Sequence, residues 1–120
     1  MTQGAIEWIE IPAADTQASI NFYRTVFGWE MQSFDPDYPM FKDPTGHVGG
    51  GFIRKAAPTR EAGIMLYISV ESIDTIIGDI TRNGGKMAHP KTEIAPEIGS
   101  WASFNDPAGN LIGLYQRPLK

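Results

Sequence analysis

Cysteine is absent from this sequence. Its absence excludes a disulfide framework, a thiol nucleophile and a thiolate metal site. Histidine is scarce. His47 and His89 stand too far apart in the chain to form an i, i+2 or i, i+4 ligand pair. His47 follows a turn glycine and His89 precedes Pro90, so both read as exposed loop residues. Basic residues are outnumbered, 10 Lys and Arg against 14 Asp and Glu, for a formal net charge of -4. No basic stripe is available to neutralise phosphates, which argues against a nucleic-acid partner. No apolar run approaches the roughly 18–20 residues of a bilayer span. The opening MTQGAIEWIEIP lacks the basic segment and long apolar stretch of a secretory signal. The expectation is a soluble, cytoplasmic protein with no membrane partner.

What is present suits one folded domain. The chain has 120 residues, 42% of them hydrophobic. Alternation over Ala5 to Ile11 predicts a strand with Glu7, Ile9 and Ile11 on one face and Ile6, Trp8 and Glu10 on the other, ended by Pro12. Asp15 reads as a helix N-cap, because its carboxylate accepts from the free amides of a first turn. Ile20, Tyr23 and Phe27 follow at helical spacing, and Gly28 is a C-terminal stop. Strands are predicted at Trp29 to Ser33, Pro39 to Lys42 and Val48 to Arg54. Between the last two, Asp43-Pro44-Thr45-Gly46 suits a type I turn. Lys55 to Gly63, small and polar, reads as a linker.

The pattern then recurs. A strand is predicted over Ile64 to Val70, and Ser72 is the next N-cap. Ile73, Ile76, Ile77 and Ile80 make an i, i+3, i+4, i+7 stripe, stopped by Asn83-Gly84-Gly85. Further strands are predicted at Lys86 to Ala88, Ser100 to Asn105 and Leu111 to Gln116, with Asp106-Pro107-Ala108-Gly109 between the last two. Trp8 stands seven residues before Asp15, and Met65 seven before Ser72. Each half thus reads strand, helix, three strands. A duplicated unit implies two modules sharing one core, module one at about 4–54 and module two at about 64–117 within a single domain of 1–120.

The stretch IEWIEIPAADTQASINFYRTVFGWEM resembles the opening of proteins of the glyoxalase/bleomycin resistance/dioxygenase (vicinal oxygen chelate) superfamily. FNDPAGNLIGLYQ is similar to their last hairpin. The resemblance covers essentially the whole chain. It implies an α+β fold of two βαβββ modules whose curved, barrel-like mixed sheet surrounds a cavity. A shared fold does not select a reaction, since the superfamily includes lyases, isomerases, dioxygenases and antibiotic-binding proteins.

The resemblance also implies four metal-ligand positions, one on the first and one on the last strand of each module, usually His, Gln or Glu. Here they fall on Trp8, Met65, Gly50 and Gly113, and a one-residue slip from Gly50 reaches only Gly49 or Gly51. None is a credible hard-metal ligand, so no metal and no cofactor is expected. By strand alternation, Trp8 brings Glu10 to the cavity, Met65 brings Tyr67 and Ser69, Gly50 brings Phe52, and Gly113 brings Leu111 and Tyr115. Such a wall suits a small aromatic or amphipathic molecule. The opposite reading is a plug, with Trp8 and Met65 filling the vacated space. Glu10 is the candidate catalytic residue, because a carboxylate desolvated among aromatic walls can act as acid or base. Gly49-Gly50-Gly51 is not a phosphate loop, as no Gly-Lys-Ser/Thr follows; it predicts a bulge or a close backbone approach.

The function expected is metal-independent binding of a small molecule by a homodimer. Two other readings stand beside it: an enzyme of the glyoxalase or dioxygenase type with a non-standard site, and an accessory interaction domain.

Overall fold

Among the described residues two amphipathic helices pack against the sheets with one face buried and the other exposed. In the computed structural model, which describes residues 5–54 and 64–118 with Gln3, Ala57 and Pro58, helix α1 spans Thr16–Phe27 and helix α2 spans Ile73–Arg82. Asp15 caps α1 by accepting from the Ala18 amide at 3.2 Å, and Ser72 caps α2 by accepting from the Thr75 amide at 3.2 Å. Gly28 ends α1 with φ of 73°, a left-handed conformation that glycine adopts without penalty. The linker reading at 55–63 falls mainly outside the described residues.

Among the described residues eight strands form two sheets. The first has the order β1-β4-β3-β2, from Trp8–Pro12, Gly49–Ile53, Tyr38–Lys42 and Glu30–Asp35. The second has the order β5-β8-β7-β6, from Tyr67–Ser69, Leu111–Gln116, Gly99–Asn105 and Lys86–Ala95. In each, the first strand pairs in parallel with the last and the other neighbours are antiparallel. The architecture is therefore mixed α+β, with two curved four-stranded sheets in place of one closed barrel. Register shifts in β2–β3 and β6–β7 add local bend. No described helix is long and apolar enough to cross a membrane.

Both sheets bury one face against the helices. Ile11, Phe41 and Phe52 from the first sheet join Phe104, Ile112 and Leu114 from the second in one core with Phe22, Tyr23 and Ile80 of the helices. Tyr23 stacks on Trp29 with ring centroids 4.5 Å apart, and Trp29 on Phe41 at 4.6 Å. Trp29 lies just ahead of β2 as a core residue.

Polar groups tie the modules together where the core is tightest. The buried Tyr23 hydroxyl donates to Asp106 Oδ2 at 2.8 Å, and Asn110 Nδ2 donates to the Pro12 carbonyl at 2.6 Å and to Asp106 Oδ2 at 2.9 Å. The Ala108 and Asn110 amides fill Asp106 Oδ1 at 3.0 and 2.9 Å. Burial raises the Asp106 carboxyl above its ordinary value, against the pull of these donors. Burial, with Asp106 beside it, pushes the Tyr23 phenol well above its usual range.

The largest departures from the expected strands are in β5 and β6, while β1 starts at Trp8 and takes in Pro12. β5 is only Tyr67–Ser69, shorter than Ile64 to Val70. β6 runs through Lys86–Ala95 and takes in His89 and Pro90, expected in a loop. β6 is an edge strand, where a proline costs no ladder donor on its solvent side.

Candidate functional site

The faces turned away from the helices hold the residues of interest. On the second sheet the register Tyr67↔Gly113, Ser69↔Tyr115 and Tyr115↔Trp101 aligns side chains from β5, β8 and β7 on that face. Tyr67, Ser69, Trp101 and Tyr115, with Ile94 from β6, line a cleft of about 440 Å³. His89 backs this wall: its ring stacks on Trp101 with centroids 4.3 Å apart, 16° from parallel. His89 Nδ1 lies 3.1 Å from the Pro90 carbonyl, which can only accept, so the proton sits on Nδ1. The Tyr115 hydroxyl donates to the Ile98 carbonyl at 2.6 Å, fixing that ring.

The first sheet carries a different set. Trp8 Nε1 donates to the Tyr38 hydroxyl at 3.0 Å, and Tyr38 donates to Glu10 Oε2 at 2.8 Å. Partial burial and the Glu10 carboxylate push the Tyr38 phenol upward, while the Trp8 N–H works against them. Tyr38 therefore stays a neutral donor at physiological pH. Across the sheet, Glu10, Gly51, Met40 and Gln32 make one row, and Trp8, Gly49, Lys42 and Glu30 make the next.

Glycines floor both faces for one physical reason. A Cβ at Gly51 would strike the Tyr38 ring, and one at Gly113 would strike the Tyr67 ring. A Cβ at Gly49 would stand 3.3 Å from the Trp8 ring. Gly50 allows the close backbone approach foreseen for the glycine run, because a Cβ there would run into the Ile9 carbonyl oxygen.

These placements sort the predicted residues. Tyr67, Ser69 and Tyr115 converge, and Gly113 lies beneath Tyr67 on the same face. Trp8 and Glu10 share the face of the first sheet. Gly50 and Phe52 do not join them: Trp8 pairs with Gly49, so Gly50 falls on the inner face and Phe52 is fully buried in the core. A one-residue difference in β4 register inverts every side chain. Met65 is half-buried ahead of β5, and Leu111 is half-buried opposite Asn105; neither lines the cleft. Trp101, Ile94, His89 and Tyr38 were missed. Trp101 lay inside a predicted strand but Tyr38, Ile94 and His89 lay outside the predicted strands, and their partners lie on other strands.

Other hollows are less suited to the chemistry. A hollow of about 610 Å³ lies beside the start of α1, with polar lining from Asp15, Thr16, Gln32 and Arg54. A cleft of about 450 Å³ opens between the modules, walled by Ile9, Trp29, Phe41, Leu66 and Ile68.

The implied metal positions do not fit a hard divalent cation. The indole at Trp8 and the thioether at Met65 are poor ligands for it, a side chain at Gly50 would run into the Ile9 backbone, and the Tyr67 ring occupies the space that an acid at position 113 would need. Among the described residues no three His, Asp or Glu side chains converge.

Comparison with known proteins follows the same lines. A family model described as bleomycin resistance protein-like N-terminal matches residues 6–43. The chain is 31% identical over 124 residues to a glyoxylase-like domain-containing protein of Didymella fabae, covering 98% of this chain and 97% of the relative. The fosfomycin resistance protein FosX of Listeria monocytogenes, solved with Mn(II) and sulfate, is similar in fold with a TM-score of 0.78 and 16% identity, over 99% of this chain and 94% of that one. TnmS3, an antibiotic binding protein from Streptomyces sp. CB03234, has a TM-score of 0.72 and 21% identity, over 98% of both chains.

Proposed function

This chain belongs to the glyoxalase/bleomycin resistance/dioxygenase superfamily, and on that footing we propose that it binds a small aromatic or amphipathic molecule without a metal. The observation that carries the reading is the cleft of Tyr67, Trp101 and Tyr115, three rings with Ser69 as a polar point of attachment. Rings of this kind offer large apolar area with few rotatable bonds and stack on planar ligands. The fold neighbour TnmS3 is an antibiotic binding protein, which supports a binding role for this architecture.

The same faces leave apolar surface in water. Trp8 is 52% exposed and Tyr67 55%, with Ile94 of β6 also exposed. A second copy laid on these faces would bury them and enclose the ligand, which supports a homodimer.

A thermal-shift and titration screen with planar aromatic compounds and antibiotics tests the proposal. Stabilisation that rises with ligand concentration and is lost in Trp101→Ala is the expected result. If no aromatic class stabilises the protein, the binding reading fails. Sedimentation of the free and ligand-bound chain tests the dimer; a monomer at saturating ligand rejects it.

A further inference from the structure

The outer face of the first sheet is built differently from the aromatic cleft. Trp8 presents an indole face that is half exposed, held by its N–H on Tyr38. Tyr38 passes that alignment to Glu10 by donating to Oε2. The two hydrogen bonds lock an indole, a phenol and a carboxylate into one constellation over Gly49 and Gly51. The glycine floor leaves room for the rings to lie close to the strand.

The charge on Glu10 has no cationic side-chain partner among the described residues. The ion pairs there are Arg82–Asp79 and Lys91–Asp74, both in the other module. Oε2 is engaged by Tyr38, while Oε1 meets no donor within the fold's described residues. Lys42 stands on the same face but in the row of Trp8, where its cross-strand neighbour is Glu30. Met40, not Lys42, shares the Glu10 row. The row therefore joins a negative charge to neutral groups, in a chain with net charge of -4.

From this geometry we infer that Trp8, Tyr38 and Glu10 form a subsite for an organic cation, an aliphatic or aryl ammonium or amidinium group on the ligand. The indole face attracts a desolvated cation through its ring quadrupole. The carboxylate supplies the opposite charge, and a weakly hydrated organic ammonium loses less on leaving water than a metal ion does. Tyr38 is a positioning residue, since it aims both partners. The inference rests on the reading of the outer sheet faces as ligand surfaces, and it adds the charge of the ligand.

The test is titration of the purified chain with benzyltrimethylammonium, benzyl alcohol and benzoate, followed by calorimetry and by the Trp8 indole N–H resonance. The cation is expected to bind about tenfold more tightly than benzyl alcohol, with benzoate weakest, and to shift the Trp8 signal. Glu10→Gln should reduce the cation to the level of the alcohol. Trp8→Leu should weaken both. Tyr38→Phe should lower the cation preference, because Glu10 loses its aim. All three residues have outer-face side chains, and melting curves check that each variant folds. Independently of any variant, the preference should shrink with added salt as the charge attraction is screened. Benzoate binding at or above the cation, or a preference that survives both Glu10→Gln and salt, overturns the inference. Cation binding that depends on Glu10, with no neutral aromatic taken up at Trp101, removes the aromatic-cleft reading alone. Aromatic uptake at Trp101 with no cation preference removes this one alone.

Discussion

Two turns of one design do different work in the two modules. Asp43-Pro44-Thr45-Gly46 and Asp106-Pro107-Ala108-Gly109 both close with a glycine amide donating back to the aspartate carbonyl, at 2.9 and 2.8 Å. In the first turn the Asp43 side chain serves only its own loop, accepting from the Thr45 hydroxyl at 2.7 Å, and the next residue is the exposed His47. In the second, Asp106 and the following Asn110 are buried and reach Tyr23 and Pro12 of the other module. The outer faces diverge as well. Module one carries a charged constellation and module two a neutral aromatic cleft. Duplication of a fold plan therefore preserves backbone geometry, while each copy's side chains are free to specialise.

The largest predicted effect tests whether the inner faces of the modules are as different as the outer ones. Counting from the roofed glycines, Gly50 in β4 corresponds to Ile112 in β8, which is buried as a full side chain. Gly50→Ala should nevertheless cost about 3 kcal/mol in urea unfolding, because its Cβ meets backbone at Ile9 and the Phe41 ring, and backbone cannot rotate away. A loss under about 1 kcal/mol would show that β4 has slack the packing does not suggest.

Next comes the pair of turns. Asn110→Ala removes donors to the Pro12 carbonyl and to Asp106, and should cost about 2 kcal/mol. His47→Ala, at the matching position, should stay within about 0.5 kcal/mol. Equal losses by chemical denaturation would erase the distinction between keystone and loop.

The third prediction concerns pH. The folded Asp106 carboxyl titrates above its ordinary value near 3.8, so the folded state holds this proton more tightly than the unfolded state. Its contribution is fully present below the unfolded value and is lost as pH rises through the folded one. Unfolding of the wild type and of Asp106→Asn, compared from pH 3 to 7, should show the difference shifting in favour of the wild type toward acid. A flat difference would mean that the donors offset the burial and Asp106 titrates alike in the folded and unfolded chain.

The smallest effect on stability is expected at Gly113. Gly113→Ala pushes on the Tyr67 ring, which is exposed and can swing aside, so the cost should be about 0.5 kcal/mol or less. The binding readout should move more than the melting temperature, since the ring that roofs the cleft is displaced.

Much of this molecule was legible in the chain. Asp15 and Ser72 as caps, Gly28 as a stop, and the inward set Ile9 and Ile11 all rest on local rules that act within a few residues. The repeat was legible for the same reason, as spacing between local signals. Glu10 with Trp8, and Tyr67 with Ser69, shared faces because alternation within one strand needs no partner. The failures at the site lay mostly between strands. Gly50 and Phe52 were assigned to the wrong face, His89 was read as a loop residue, and Tyr38, Trp101 and Ile94 were given no role.

The sequence by itself determined where chain direction changes, which residues seek the core, and which side chains of one strand share a face. Only the tertiary structure decided which rings meet. That choice rests on the pairing of Trp8 with Gly49 and of Tyr67 with Gly113, residues more than 40 positions apart. Strand pairing is selected by the whole shared core, and a shift of one residue turns a side chain from solvent to interior.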